Sequence, residues 1–239
     1  MPKINRNGVN IHFETYGNGP AIFLTHGFSD NLGIWKNQIK SLSKNNTLIL
    51  WDLKGHGNTD APDDMIHYSE EETILDMLEI LDHLNIKKAS IGGFSLGGYM
   101  SLAFYRKYPE RVSSLLIIDT GPGFKNDEAR EGWNKYAIKS AEKYESRNRQ
   151  GIGNAARGML TQKDDRIIKS LPDISVPTLI IVGEEDKPFL SAADYMNSKI
   201  KNSENQIKIK ENNLTELKKN IFNYDKIILD NENSLFILN

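Results

Sequence analysis

The 239-residue chain contains no cysteine. That excludes disulfides, a thiolate metal site and a cysteine nucleophile, and it fits a reducing cytoplasm. Histidine is scarce and unevenly placed: the five are His12, His26, His56, His67 and His83, and none follows. Neither sign of charge dominates, since 30 Lys+Arg against 32 Asp+Glu leave a net charge of −2. A nucleic-acid or anionic-membrane partner therefore has no electrostatic footing. No apolar run approaches the roughly 20 residues of a membrane span. No apolar segment follows Met1-Pro2-Lys3, so no secretory signal is expected.

What is present suits one large α/β domain over residues 1–239, with 38% hydrophobic residues. Short apolar runs at 9–16, 21–25, 47–51, 88–91, 112–119 and 177–182 read as strands. Helices are expected at 32–42, at 99–108, and after Ser69, where Glu72 three residues on suggests a capping box. In that last helix Ile74, Leu78 and Leu81, with Leu75 and Leu84, are expected on one face. Buried strands alternating with helices imply a mostly parallel sheet flanked by helices. Ligands then sit beyond the carboxyl ends of the strands. His26, Ser95, Asp119 and Asp186 each follow a predicted strand, so they should share that edge.

The strongest motif is Gly93-Phe94-Ser95-Leu96-Gly97. Three fixed positions in a chain this long give on the order of 0.1 chance matches at average usage. A strand leads in and a helix leads out, the setting of a nucleophile elbow. Ser95 is the expected nucleophile. The backbone N–H of Leu96 is one expected oxyanion donor and that of Phe28, in the His26-Gly27-Phe28 turn, the other. Asp186 is the expected acid of the triad, with Asp119 as its alternative and a helix N-cap as its plain structural role. His26 reads as a buried structural residue rather than a base. No cofactor or metal is implied.

With these residues the chain resembles the α/β-hydrolase superfamily. The matching pieces are His26-Gly27-Phe28, Asp52-Leu53-Lys54-Gly55-His56-Gly57, Gly93 to Gly98, Tyr108-Pro109-Glu110-Arg111-Val112 and Gly183-Glu184-Glu185-Asp186. They cover about residues 8–200 and are most similar to the esterase, enol-lactonase and cofactor-free haloperoxidase branch. The resemblance implies an α/β-hydrolase fold with a small cap after the sixth strand, at 125–170. It implies hydrolysis of a small-molecule carboxylic ester or lactone through an acyl-enzyme, and it places His56 in a structural loop. It also implies a histidine after the last strand, where this chain has Glu211-Asn212-Asn213.

Residues 201–239 contain no Gly, Ala, Pro, Val, His or Arg. Three readings are open. The chain is a pseudo-hydrolase that binds a small ligand, its ending is read from a shifted frame of an A/T-rich gene, or another side chain replaces the base. A strand at 206–210, a short helix at 214–222 and apolar runs at 227–229 and 235–238 are expected in this segment.

Overall fold

The computed structural model describes residues 2–201, 203 and 207–209. The expectations for 214–222, 227–229 and 235–238 lie outside the described residues.

In chain order the strands are β1 (Lys3–Arg6), β2 (Val9–Tyr16), β3 (Ala21–Thr25), β4 (Thr47–Trp51), β5 (Ala89–Phe94), β6 (Val112–Ile118), β7 (Thr178–Gly183) and β8 (Ile207–Ile209). The helices are α1 (Lys36–Leu42), α2 (Glu70–His83), α3 (Leu96–Lys107), α4 (Asp127–Glu145), α5 (Gln150–Ala155), α6 (Arg166–Ser170) and α7 (Lys187–Lys199). One sheet runs β1-β2-β4-β3-β5-β6-β7-β8. Among the described residues, β1–β2 and β2–β4 pair antiparallel. The other pairs are parallel.

Alternation along the inner strands splits the core between the two faces of the sheet. Phe23, Ile49, Trp51, Ile91 and Ile117 pack with α2 and α3. Ile22, Leu24, Leu48, Leu50 and Leu116 pack with Trp35 and with Leu42 of α1. Such two-sided burial is why these strands read as continuous apolar runs.

Register carries this order to the functional edge. Thr25 sits opposite Gly93, Phe94 opposite Ile118, and Ile118 opposite Ile181. Two bonds extend the ladder by one residue: Ser95 N–H to the Ile118 carbonyl (2.8 Å) and Asp119 N–H to the Ile181 carbonyl (2.9 Å). The residues that follow β3, β5, β6 and β7 therefore meet at one edge, as the sequence suggests.

Three details differ from the sequence expectations. β1 lacks an apolar signal and is held by pairing with β2. The capping box is half formed, because the Ser69 hydroxyl accepts the Glu72 N–H at 3.0 Å but the Glu72 carboxylate turns to Arg6 and Lys54. The α2 core face is Ile74, Met77, Ile80 and Leu81, with Leu75 off it and Asp76 inside. Asp76 is tolerated there because Lys54 reaches it at 3.1 Å and Arg6 also pairs with it.

Candidate active site

The turn after β5 begins with steric necessity. A Cβ on Gly97 would lie 2.2 Å from the Thr25 carbonyl oxygen, and one on Gly93 would lie 2.4 Å from the Gly97 carbonyl carbon. Strand and helix can approach this closely only without side chains. Ser95 closes the turn at φ +52°, ψ −115°, a left-handed conformation that costs a non-glycine residue roughly 1–3 kcal/mol. It is half-buried and lines a cavity of about 90 Å³.

Leu96 is the first residue of α3, so its N–H has no partner within the helix. The helix dipole adds partial positive charge at the same point. Phe28 lies in a turn closed by Asp30 N–H on the Gly27 carbonyl (3.3 Å). Among the described residues neither the Phe28 nor the Leu96 N–H meets an acceptor.

Two histidines hold the Phe28 turn. His26 Nδ1 bonds the Gly27 carbonyl at 2.7 Å, and its Nε2 accepts Leu53 N–H at 3.0 Å. His56 Nδ1 bonds the Lys54 carbonyl at 3.0 Å, and its Nε2 accepts Ser29 N–H at 3.1 Å. These partners assign the Nδ1–H tautomer to both neutral rings. Both rings are buried. Burial lowers the pKa of His26, and burial with the neighbouring His26 ring lowers that of His56 to about 3.

Neither ring is free to serve Ser95 as a base. The remaining histidines do not reach the cavity either. His12 bonds Asp52 at 2.8 Å, His83 packs against Phe13, and His67 lies in the 65–67 turn.

Asp52 is the organiser that the sequence motif did not reveal. Buried, it accepts Leu32 N–H at 2.7 Å and Asn58 N–H at 2.9 Å as well as bonding His12. It thereby sets the loop that carries His56. Its only sequence signal is its place before Leu53-Lys54-Gly55-His56-Gly57.

The two buried rings make stability depend on pH. Each folded-state pKa lies below the unfolded value near 6.5, so the unfolded chain binds more protons below that pH. The stability is complete above about pH 6.5 and is lost as pH falls, by up to about 1.4 kcal/mol per pH unit for each ring. Urea midpoints between pH 5 and 7 should show this slope, and His56→Gln should flatten it by about one proton. An unchanged slope would count against His56 as the source.

Asp119 and Asp186 end up around the same glycine but do different work. Asp119, at φ +43°, accepts Gly183 N–H on Oδ1 at 2.7 Å. It thus fixes the end of β7. Asp186 heads α7, and its main-chain carbonyl accepts Phe189 and Leu190 N–H, both at 3.0 Å. Its half-buried carboxylate makes no capping bond.

Of the residues expected at the site, Ser95 and Leu96 line the cavity, Phe28, Asp119 and Asp186 do not, and the walls carry no motif. These are Tyr99 and Thr120 from the body, Phe124, Trp133, Met159, Leu160 and Gln162 from the segment between β6 and β7, and Phe189 from α7. Trp133 donates to the Leu160 carbonyl at 2.7 Å. Asn134 exchanges two bonds with the Gln162 backbone, at 2.8 and 2.9 Å. The far wall is therefore fixed to α4. The aromatics scattered through 125–170 were its only sequence signal.

Among the described residues no His/Cys/Asp/Glu group could hold a metal ion, and no helix is long and apolar enough to cross a membrane.

A family model described as alpha/beta hydrolase fold matches residues 20–146. A curated relative, the putative 2-succinyl-6-hydroxy-2,4-cyclohexadiene-1-carboxylate synthase of Bacillus subtilis strain 168, is 29% identical over 219 residues. That match covers 75% of this chain and 80% of the relative. Two other curated relatives, bifunctional epoxide hydrolase 2 of Sus scrofa and epoxide hydrolase 2 of Siraitia grosvenorii, are 35% and 34% identical over 114 residues each, and the chain spans 20% and 36% of their length.

Among solved structures, a thermophilic esterase from Thermogutta terrifontis superposes with a TM-score of 0.80 at 24% identity, over 95% of this chain and 99% of that one. The enol-lactonase from Burkholderia xenovorans LB400 gives 0.76 at 20%, over 94% and 100%. At these identities the likeness is one of fold.

Proposed function

This chain belongs to the alpha/beta hydrolase fold family, and from that premise we propose that it is a serine hydrolase for carboxylic esters or lactones. The observation that carries the reading is Ser95, held at positive φ on the functional edge at the start of α3 and open to the cavity. Strain kept at one polar residue beside a cavity is the signature of an imposed geometry. The esterase and enol-lactonase neighbours show that the same fold carries such chemistry elsewhere.

Ser95 Oγ attacks the carbonyl carbon as its proton passes to hydroxide or a buffer base, and the carbonyl oxygen takes the negative charge beside the Phe28 and Leu96 N–H groups. The bond to the leaving oxygen then breaks and leaves the acyl group on Ser95. Water attacks that ester in turn and releases the acid. We assign Asp186 the role of orienting a base, and Asp119 holds the Gly183 N–H in the turn before it. The epoxide hydrolase route, which needs a carboxylate nucleophile, does not fit a serine at this position. The Bacillus relative's name points to a carboxylate-bearing compound, but no Lys or Arg is among the described wall residues to receive one.

A second reading, a ligand-binding protein that has lost turnover, is favoured by the absence of histidine after His83 and by the backbone bonds that occupy His26 and His56. Incubation with a fluorophosphonate or an activated aryl ester separates the two. A hydrolase should gain one adduct, mapped by mass spectrometry to Ser95 and absent from Ser95→Ala. An unlabelled Ser95 alongside reversible ligand binding that survives Ser95→Ala would leave the second reading standing.

A further inference from the structure

The cavity beside Ser95 has a chemical character of its own. Its described wall contains no Lys, Arg, His, Asp or Glu. Tyr99, Phe124, Trp133, Met159, Leu160 and Phe189 make it broadly apolar. The Tyr99 hydroxyl is already bonded to Glu70 at 3.3 Å.

Lys187, beside Pro188 and Phe189, is exposed and does not line the cavity, and several other cations near the wall in sequence are engaged elsewhere. Lys125 lies over the Tyr195 ring at 5.1 Å, and Arg130 bonds the Phe124 carbonyl at 2.9 Å and pairs with Asp127. Arg106 and Arg166 are grouped with acids, Arg106 with Glu70 at 3.9 Å and Arg166 with Asp164 at 2.6 Å.

A carboxylate at the far end of the acyl group would lose its water and gain no cationic partner among the described wall residues, which is unfavourable. We propose that the site takes neutral substrates whose acyl or lactone portion is apolar, and that it rejects acyl groups ending in a carboxylate. The proposal rests on the hydrolase reading for its chemistry but not for its binding preference. Gln162 is the residue through which the preference can be changed. It lines the far wall, its backbone is pinned by Asn134, and its buried Oε1 has no partner among the described residues.

The test uses two esters of equal chain length, 4-nitrophenyl pentanoate and mono-4-nitrophenyl glutarate. Affinity is measured with Ser95→Ala, which binds without reacting, and acylation of Ser95 with the unmodified chain. The pentanoate should bind and acylate about 100-fold better or more. Gln162→Arg, which brings a guanidinium to the wall, should narrow the gap to within about 10-fold.

Equal binding of the two esters, tighter binding of the glutarate, or no binding of either by Ser95→Ala would overturn the proposal. If Gln162→Arg does not fold, the comparison on the unmodified chain still decides. Failure of Ser95 to acylate, with the pentanoate preference in binding retained, would sink the hydrolase reading alone.

Discussion

Turnover of an activated aryl ester by this chain should fall about a million-fold below that of a complete Ser–His–Asp site. Removing the histidine of such a triad in a serine protease costs about 10⁶ in kcat, or roughly 8 kcal/mol of transition-state stabilisation. The reason here is local. No histidine follows His83, and His26 and His56 already spend both ring nitrogens on the backbone. The elbow and its N–H groups should still leave acylation about 10³–10⁴-fold faster than in water.

The pH profile gives the sharper measurement. With no free imidazole at the cavity among the described residues, the Ser95 proton is expected to pass to hydroxide or a buffer base. The acylation rate should then rise about tenfold per pH unit from 6 to 9, with no plateau near neutrality. A plateau near pH 7, with turnover typical of esterases and lost in Ser95→Ala, would refute the missing-base argument and reveal another base.

How far the sequence disclosed this arrangement depends on the range of the forces involved. Strands β2, β3 and β4 match their apolar runs because burial on the sheet writes itself directly into composition. The elbow was legible because close approach allows only glycine, so the constraint survives as Gly93 and Gly97. β1 was hidden, since an edge strand needs only its ladder and a neighbour.

The half-formed capping box shows the opposite failure. Ser69 behaves as the local motif demands, but Glu72 is claimed by Arg6 and Lys54, which come from distant parts of the chain. The cavity wall was hidden for the same reason. Trp133 and Gln162 are unremarkable in sequence and meet only because Trp133 and Asn134 bond the backbone at Leu160 and Gln162. The histidine roles fall between these cases. Their structural character could be expected from the loops that hold them, but the pairing of His26 with Leu53 and of His56 with Ser29 is tertiary.

Gly97→Ala should be among the most destabilising single changes this chain can carry. Helix propensity alone predicts the reverse, because alanine is favoured over glycine inside a helix by about 1 kcal/mol. Packing decides the sign. The new methyl would stand 2.2 Å from the Thr25 carbonyl oxygen and 2.7 Å from the His26 carbonyl oxygen. Both are main-chain atoms at the end of a central strand, with no flexible side chain to yield. To relieve the contact α3 must move off the sheet, which disturbs a helix buried from Leu96 to Tyr105. A cost above about 4 kcal/mol follows, which for a chain of this size lowers the melting temperature by about 10 °C or more.

Gly132→Ala is the internal control. It lies in α4 with nothing within 4 Å of the added methyl, so propensity acts alone and stability should stay level or rise by up to about 1 kcal/mol. Thermal or urea unfolding of the two variants should therefore move in opposite directions. A Gly97→Ala protein as stable as its parent would mean that the strand–helix approach at Ser95 is looser than these distances require. The strained serine would then have lost the support that keeps it at positive φ.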